Sequence, residues 1–281
     1  MITHTIKLMR PKHWIKNILI FLPIVYSQNM NDTSLLLAVT ACFAAFCLAA
    51  SGIYVINDIF DYEKDRLHPV KKMRPIAAGL ISRKMAALFA GLLIVAGLVL
   101  ATVFDGRLVL LLLSSYVVLN LAYSYKLKDM AIIDCFCIAA GFVLRIYAGG
   151  FVIGENISEW LFLTITVGSL FMALGKRRGE MVAMGETSAT RTALGNYNLV
   201  FLGNMVYVCA ATTIVFYALW AMASTDLMIY TVPLFIFIIC RYLLSSGESH
   251  GDPVVVIFND KVLVVAFVVF GILSFALLYI V

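Results

Sequence analysis

"SLLLAVTACFAAFCLAASGIYVINDIFDYEKD", residues 34–65, runs for 24 residues without a charged side chain and then places three aspartates within eight positions. At 1.5 Å per residue the apolar part is long enough to cross about 30 Å of hydrocarbon as one helix. The aspartates follow where such a helix leaves the membrane. The first half of the stretch decides the fold class, and the second half asks what the membrane edge needs so much charge for.

The apolar half is repeated along the chain. Of its 281 residues 63% are hydrophobic and 13% charged, and the mean hydropathy is +0.99, far outside the range of water-soluble domains. Apolar runs predict spans near residues 17–28, 34–56, 85–104, 108–125, 131–151, 159–175, 199–222, 227–245 and 262–280. The expected fold is therefore all-α, a polytopic membrane bundle of about nine transmembrane helices forming a single domain over residues 1–281. The first span is the shortest, and Pro23 interrupts it.

Basic residues orient the bundle. With the N-terminus in the cytoplasm, all of the 21 Lys and Arg residues except Arg107 and Arg145 fall in the N-terminal segment or in loops on that side. The opposite loops carry Asp105, Glu155, Glu159 and Asp226. This predicts an integral protein of the cytoplasmic (inner) membrane, with its N-terminus and Asp-rich segment on the cytoplasmic side. Membrane topology accounts for the net charge of +5, which implies no nucleic acid partner. The basic, apolar start has Pro23 in its run and no small-residue cleavage site after it, so no removable signal peptide is expected. The six cysteines lie within predicted spans without metal-type spacing and read as packing residues. There is no nucleotide-binding glycine loop and no soluble domain. Small residues such as Gly91 and Gly97 suit packing within one chain or in a homo-oligomer, and the sequence does not choose.

The charged segment continues as "NDIFDYEKDRLHPVKKMRPIAAG", residues 57–79. Asp58, Asp61 and Asp65, spaced i, i+3 and i+7, share one stripe of a helix, with Asn57 adjacent. Clustered carboxylates repel unless cations neutralise them, and an oxygen-only set suits a hard divalent ion such as Mg²⁺, with Mn²⁺ as a substitute, bridging to phosphate. Lys71, Lys72 and Arg74 follow His68-Pro69 and are placed to add positive charge toward the same polyanion. The plainer reading is a solvated interfacial loop whose acids pair with neighbouring bases.

"NDIFDYEKD" resembles the NDxxDxxxD motif of the UbiA superfamily of intramembrane prenyltransferases. "RPKHWIKN" (10–17), "RPIAAG" (74–79), "YSYKLK" (123–128), "FVLRIYAGG" (142–150) and "GKRRGE" (175–180) extend the likeness to the branch containing decaprenyl-phosphate phosphoribosyltransferase. The resemblance implies the UbiA-like fold and Mg²⁺ held by Asn57, Asp58, Asp61 and Asp65, with Asn57, Asp58 and Asp61 catalytic. It also implies transfer of 5-phosphoribosyl from 5-phosphoribosyl 1-diphosphate to a polyprenyl phosphate lipid. Superfamily members using a prenyl diphosphate carry a second Asp-rich motif after the sixth helix. The corresponding "GKRRGEMVAMGETSATR" has Lys176, Arg177, Arg178, Glu180 and Glu186 and no Asp. A basic second clamp suits a donor bearing an additional 5-phosphate. Such a triplet is also ordinary positive charge at a helix end.

Further candidates for substrate binding carry similar pairs of readings. Tyr123 and Ser124, with Lys126 and Lys128, resemble family residues that contact the polar substrate, and equally form an interfacial anchor. Arg145 lies well inside a predicted span, where it needs a cavity or partners. It would bind the lipid phosphate or hold helices together. Asp134, about 16 Å away along the helix, is not its direct partner. Arg10, Lys12 and Lys16 either line the mouth of the site or anchor the N-terminus. His250 and Asp252 are weaker candidates. Two other functions remain open: a UbiA-type enzyme joining a prenyl diphosphate to an aromatic or lipid acceptor, and a cation-coupled transporter. The missing second Asp motif argues against the first. Charges gathered at one membrane face, away from the midplane, argue against the second.

Overall fold

The computed structural model describes residues 2–67, 70–103, 107–184, 194–246 and 253–280, and all regular structure among them is helical. His68, Pro69, Asp105, Glu186, Arg191, His250 and Asp252, named in the sequence analysis or lying in its quoted stretches, fall outside the described residues. The helices are α1 Ile2–Met9, α2 Leu22–Tyr26, α3 Thr33–Phe60, α4 Tyr62–Leu67, α5 Arg83–Leu100, α6 Arg107–Tyr125, α7 Ile133–Val152, α8 Glu159–Met184, α9 Leu199–Ser224, α10 Val232–Ser246, α11 Pro253–Asn259 and α12 Lys261–Tyr279. Among the described residues eight helices are long and apolar enough to cross a membrane, and the protein is an integral membrane protein.

The ninth expected crossing takes a different form. Where a span over 17–28 was predicted, a 3₁₀ segment, Pro11–Phe21, leads into the short α2. It runs antiparallel to α3. Arg10 meets Asp58, Trp14 meets Ser51, Asn17 meets Cys47 and Phe21 meets Phe43. From residue 58 back to 43, α3 covers about 22 Å at 1.5 Å per residue. The facing segment covers the same distance with four fewer residues, which requires the roughly 2.0 Å rise of 3₁₀ winding. Stretched in this way, Pro11–Tyr26 reaches about 30 Å, the thickness of the hydrocarbon layer. The segment therefore begins at Pro11, earlier than expected, and Lys12 and Lys16 lie on it.

The chain divides into two compact units, one of residues 1–127 and 144–156, the other of residues 128–143 and 157–281. In the first, α3 is the central helix. Asp32 caps it, accepting from the Ser34 and Leu35 backbone N–H groups (2.8 and 3.2 Å). Bonds led by the Ser34 hydroxyl hold the Asp32 carboxyl below its usual pKa. Val39, Ala45, Phe46, Ala49 and Leu113 fill the interior. Close approach of α5 to α3 needs small residues: a Cβ on Gly97 would meet the Ala45 carbonyl oxygen at 2.7 Å, and one on Gly52 the Ala90 oxygen at 2.8 Å. A Cβ on Gly91 meets nothing, so only Gly97 of the two glycines noted in the sequence has this packing role. At Gly149 of α7 the Ile20 carbonyl would lie 2.1 Å from a Cβ, so the 3₁₀ crossing rests directly on α7 backbone.

In the second unit α8 packs along α9, with Phe171, Leu202, Val206, Ile238, Tyr242 and Leu263 in the interior. Arg241 of α10 and Ser245 both donate to Asp260, which caps α12. The expected loop after residue 175 is helical through Met184. The reason lies in the residues: Lys, Arg, Glu, Met and Ala favour helix, no proline intervenes, and Arg177 pairs with Glu180 one turn on.

Candidate functional site

The Asp-rich segment keeps its helical stripe across a break. α3 ends at Phe60 and α4 starts at Tyr62, yet Asp61 N–H donates to Asn57 O (2.9 Å) and Asp65 N–H to Asp61 O (2.8 Å), so the pitch continues. Asp58 and Asp65 are both 3% exposed. Asn57 donates its amide to Asp61 Oδ2 (3.1 Å). Arg74, just beyond the 3₁₀ turn Lys71–Met73, puts one nitrogen, Nη1, 2.9 Å from Asp58 Oδ1 and 2.6 Å from Asp65 Oδ2. Arg10 donates to the same Asp58 oxygen (2.5 Å) and lies over the Tyr54 ring at 5.3 Å. Its backbone is left-handed (φ 51°), a conformation costing roughly 1–2 kcal/mol in a non-glycine residue and one that clusters at functional sites.

The acids therefore do pair with nearby bases, as the plainer sequence reading holds. Their burial makes the pairing more than a surface accident, since buried carboxylates need compensation. The residues also fit a hard divalent cation. All donors are oxygens, and Arg74 already sets a positive charge between two carboxylates, the place a bridging ion requires. Among the described residues, no three acidic, His or Cys side chains are arranged around one metal-sized point.

The remaining candidates are distributed differently. Lys12 and Lys72 are exposed, Lys16 and Tyr123 half-buried, and Ser124 and Lys128 buried. Arg145 is buried in a polar network: its Nε donates to Asn17 Oδ1 (2.6 Å), Nη2 donates to Tyr116 Oη (2.8 Å), and the guanidinium stacks on the Tyr116 ring (4.6 Å). Asn17 in turn donates to Cys47 Sγ, and Trp14 donates to Ser51 Oγ. Arg145 thus joins the 3₁₀ segment, α6 and α7.

In the second unit the three residues of the basic triplet differ in burial. Arg177 is 1% exposed, its Nε donating to Asp134 Oδ2 (2.6 Å) and its Nη1 to Glu180 Oε2 (2.7 Å). Of the triplet read as a basic clamp or as helix-end charge, Arg177 therefore lies inside the helix packing. A guanidinium turned inward by helix continuation must find anions there. Lys176 and Arg178 stay half-buried. Tyr197 completes the centre, donating to Asp134 Oδ1 (2.8 Å) and accepting from the Ile132 N–H (2.5 Å). Burial pushes the Tyr197 hydroxyl well above its ordinary pKa, so it remains a donor. Ile132 has φ 70°, strained for a β-branched residue. Sequence reading did not single out Asn17, the last residue of "RPKHWIKN", or Tyr197, which stands in the polar stretch 195–198 ahead of a predicted span, and saw Asp134 only as a residue that does not pair with Arg145.

Residues 18–259 match the model of the UbiA prenyltransferase family. The chain belongs to this family. Its UbiA architecture is similar to that of a UbiA homolog from Archaeoglobus fulgidus, solved bound to GPP and Mg²⁺, with a TM-score of 0.77 over 98% of this chain and 99% of that one at 18% identity. Within the UbiA family it is 37% identical to the decaprenyl-phosphate phosphoribosyltransferase of Mycolicibacterium smegmatis over 95% of this chain and 90% of the relative. To that of Corynebacterium glutamicum it is 38% identical, over 92% and 81%.

Proposed function

We propose that this UbiA-family protein transfers 5-phosphoribosyl from 5-phosphoribosyl 1-diphosphate to a polyprenyl phosphate, giving polyprenyl-phosphoryl-5-phosphoribose and diphosphate. The observation that carries the reading is its 37–38% identity, over more than nine-tenths of its length, to proteins named for that transfer. The absence of Asp from residues 175–184 supports it. Residues 1–281 act as one catalytic domain in the cytoplasmic membrane, with the Asp-rich segment on the cytoplasmic side, where a soluble donor enters.

The bond broken is ribose C1–O to diphosphate, which leaves with the electron pair, and the bond formed joins C1 to an oxygen of the lipid phosphate. That oxygen is already anionic, so the reaction needs no general base to activate it. Asn57, Asp58, Asp61 and Asp65 would hold Mg²⁺, which when bound neutralises charge on the departing diphosphate. Arg10 and Arg74 bring guanidinium charge to the same place, suited to phosphate oxygens in forked pairs. Lys176 and Arg178 are the basic residues proposed to meet the donor's 5-phosphate, with Arg177 and Glu180 fixing the helix that carries them. Tyr123, Ser124 and Lys128, together with Lys12, Lys16 and Lys72, are proposed to line the polar substrate path. Arg145 braces the apolar side.

Purified protein given labelled 5-phosphoribosyl 1-diphosphate, polyprenyl phosphate and Mg²⁺ is expected to move label into the organic phase. Excess EDTA stops transfer, and Mg²⁺ or Mn²⁺ restores it. Full transfer in EDTA would contradict the metal assignment, and no transfer under any condition would contradict the reaction.

A further inference from the structure

The carboxylates that would hold the cation are the ones that hold Arg10 and Arg74. Asp58 Oδ1 accepts from both guanidiniums, at 2.5 and 2.9 Å, and a carboxylate oxygen has about two lone-pair directions. Arg74 Nη1 also bonds Asp65 Oδ2 at 2.6 Å. A cation at those oxygens and Arg74 in its present position exclude one another. The arginine side chains are 26% and 20% exposed, while the Asp58 side chain is 3% exposed, so it is the guanidiniums that have room to leave.

We propose that Arg74, assisted by Arg10, is an exchangeable counter-ion of the Asp-rich motif. It gives up Asp58 and Asp65 to a divalent cation arriving with diphosphate, and its guanidinium moves to the diphosphate oxygens. The inference rests on the metal reading above and adds a sign to it. Arg74 opposes binding of the cation alone and favours binding of cation and diphosphate together. The motif therefore discriminates against a bare ion, and full charge compensation persists at each stage.

The test uses the full chain in detergent, with free Mn²⁺ followed by electron paramagnetic resonance and labelled inorganic diphosphate measured in the presence of Mg²⁺. Arg74→Gln is expected to bind Mn²⁺ alone about tenfold more tightly than the native protein, because a charge-assisted competitor has been removed. The same variant is expected to bind diphosphate with Mg²⁺ about tenfold more weakly. Arg74→Lys, which keeps the charge without the planar fork, gains about threefold for Mn²⁺ and carries the test if the Gln variant does not fold. Mn²⁺ affinity unchanged or reduced in the folded Arg74 variants overturns the exchange. If Asp58→Asn binds Mn²⁺ as tightly as the native chain, or if no variant binds it, the metal reading itself is wrong and the exchange falls with it.

Discussion

Asp58→Asn is expected to lower kcat/KM by about a thousandfold or more, roughly 4 kcal/mol of transition-state stabilisation. The substitution keeps shape and removes the charge on which Arg10, Arg74 and the proposed cation all converge. Losing one preorganised electrostatic group commonly lowers turnover by about 10²–10³, and here the cation's hold is lost with it. Folding should survive, since Arg74 retains Asp65 and an Asn oxygen still accepts a hydrogen bond. Steady-state assays alongside thermal unfolding separate the two effects. A folded Asp58→Asn protein keeping more than a tenth of native activity would remove Asp58 from the catalytic centre.

Asp134→Ala acts on stability. It strips one anion from a guanidinium that is 1% exposed and leaves the Tyr197 hydroxyl without its acceptor. Breaking one side of a buried pair costs about 3–5 kcal/mol, and the low end is expected because Glu180 still holds Arg177. The double variant Asp134→Leu with Arg177→Met should unfold at a higher temperature than Asp134→Ala, since the buried guanidinium leaves together with its carboxylate and the remaining Glu180 side chain, 17% exposed, reaches solvent. If Asp134→Ala melts with the native protein, or the double variant melts below the single one, the centre does not carry this burden. The same result warns against neutralising Arg177 to probe donor binding; Lys176 or Arg178 is the cleaner choice.

The spans were legible because hydrocarbon thickness and backbone satisfaction leave few solutions for a run such as residues 34–56. The Asp stripe was legible from its i, i+3, i+7 spacing, and the helical hydrogen bonds through Asp61 preserve it. The 3₁₀ form of the first apolar run was not legible because 3₁₀ winding lengthens a segment without changing its composition. The burial of Arg177 was not legible, since it depends on its tertiary partner, Asp134, 43 residues away. Arg10 and Arg74 were seen as basic, but their convergence on one Asp58 oxygen requires folding residues 48 and 16 positions apart into contact.

Mass spectrometry of the lipid product tests the central claim most directly. Purified protein is offered 5-phosphoribosyl 1-diphosphate and a prenyl diphosphate together, with polyprenyl phosphate and an aromatic acceptor, in Mg²⁺. The expected product is the polyprenyl phosphate extended by one phosphoribosyl unit, with the aromatic acceptor unchanged. A prenylated aromatic, with the polyprenyl phosphate unaltered, would contradict the proposed transfer.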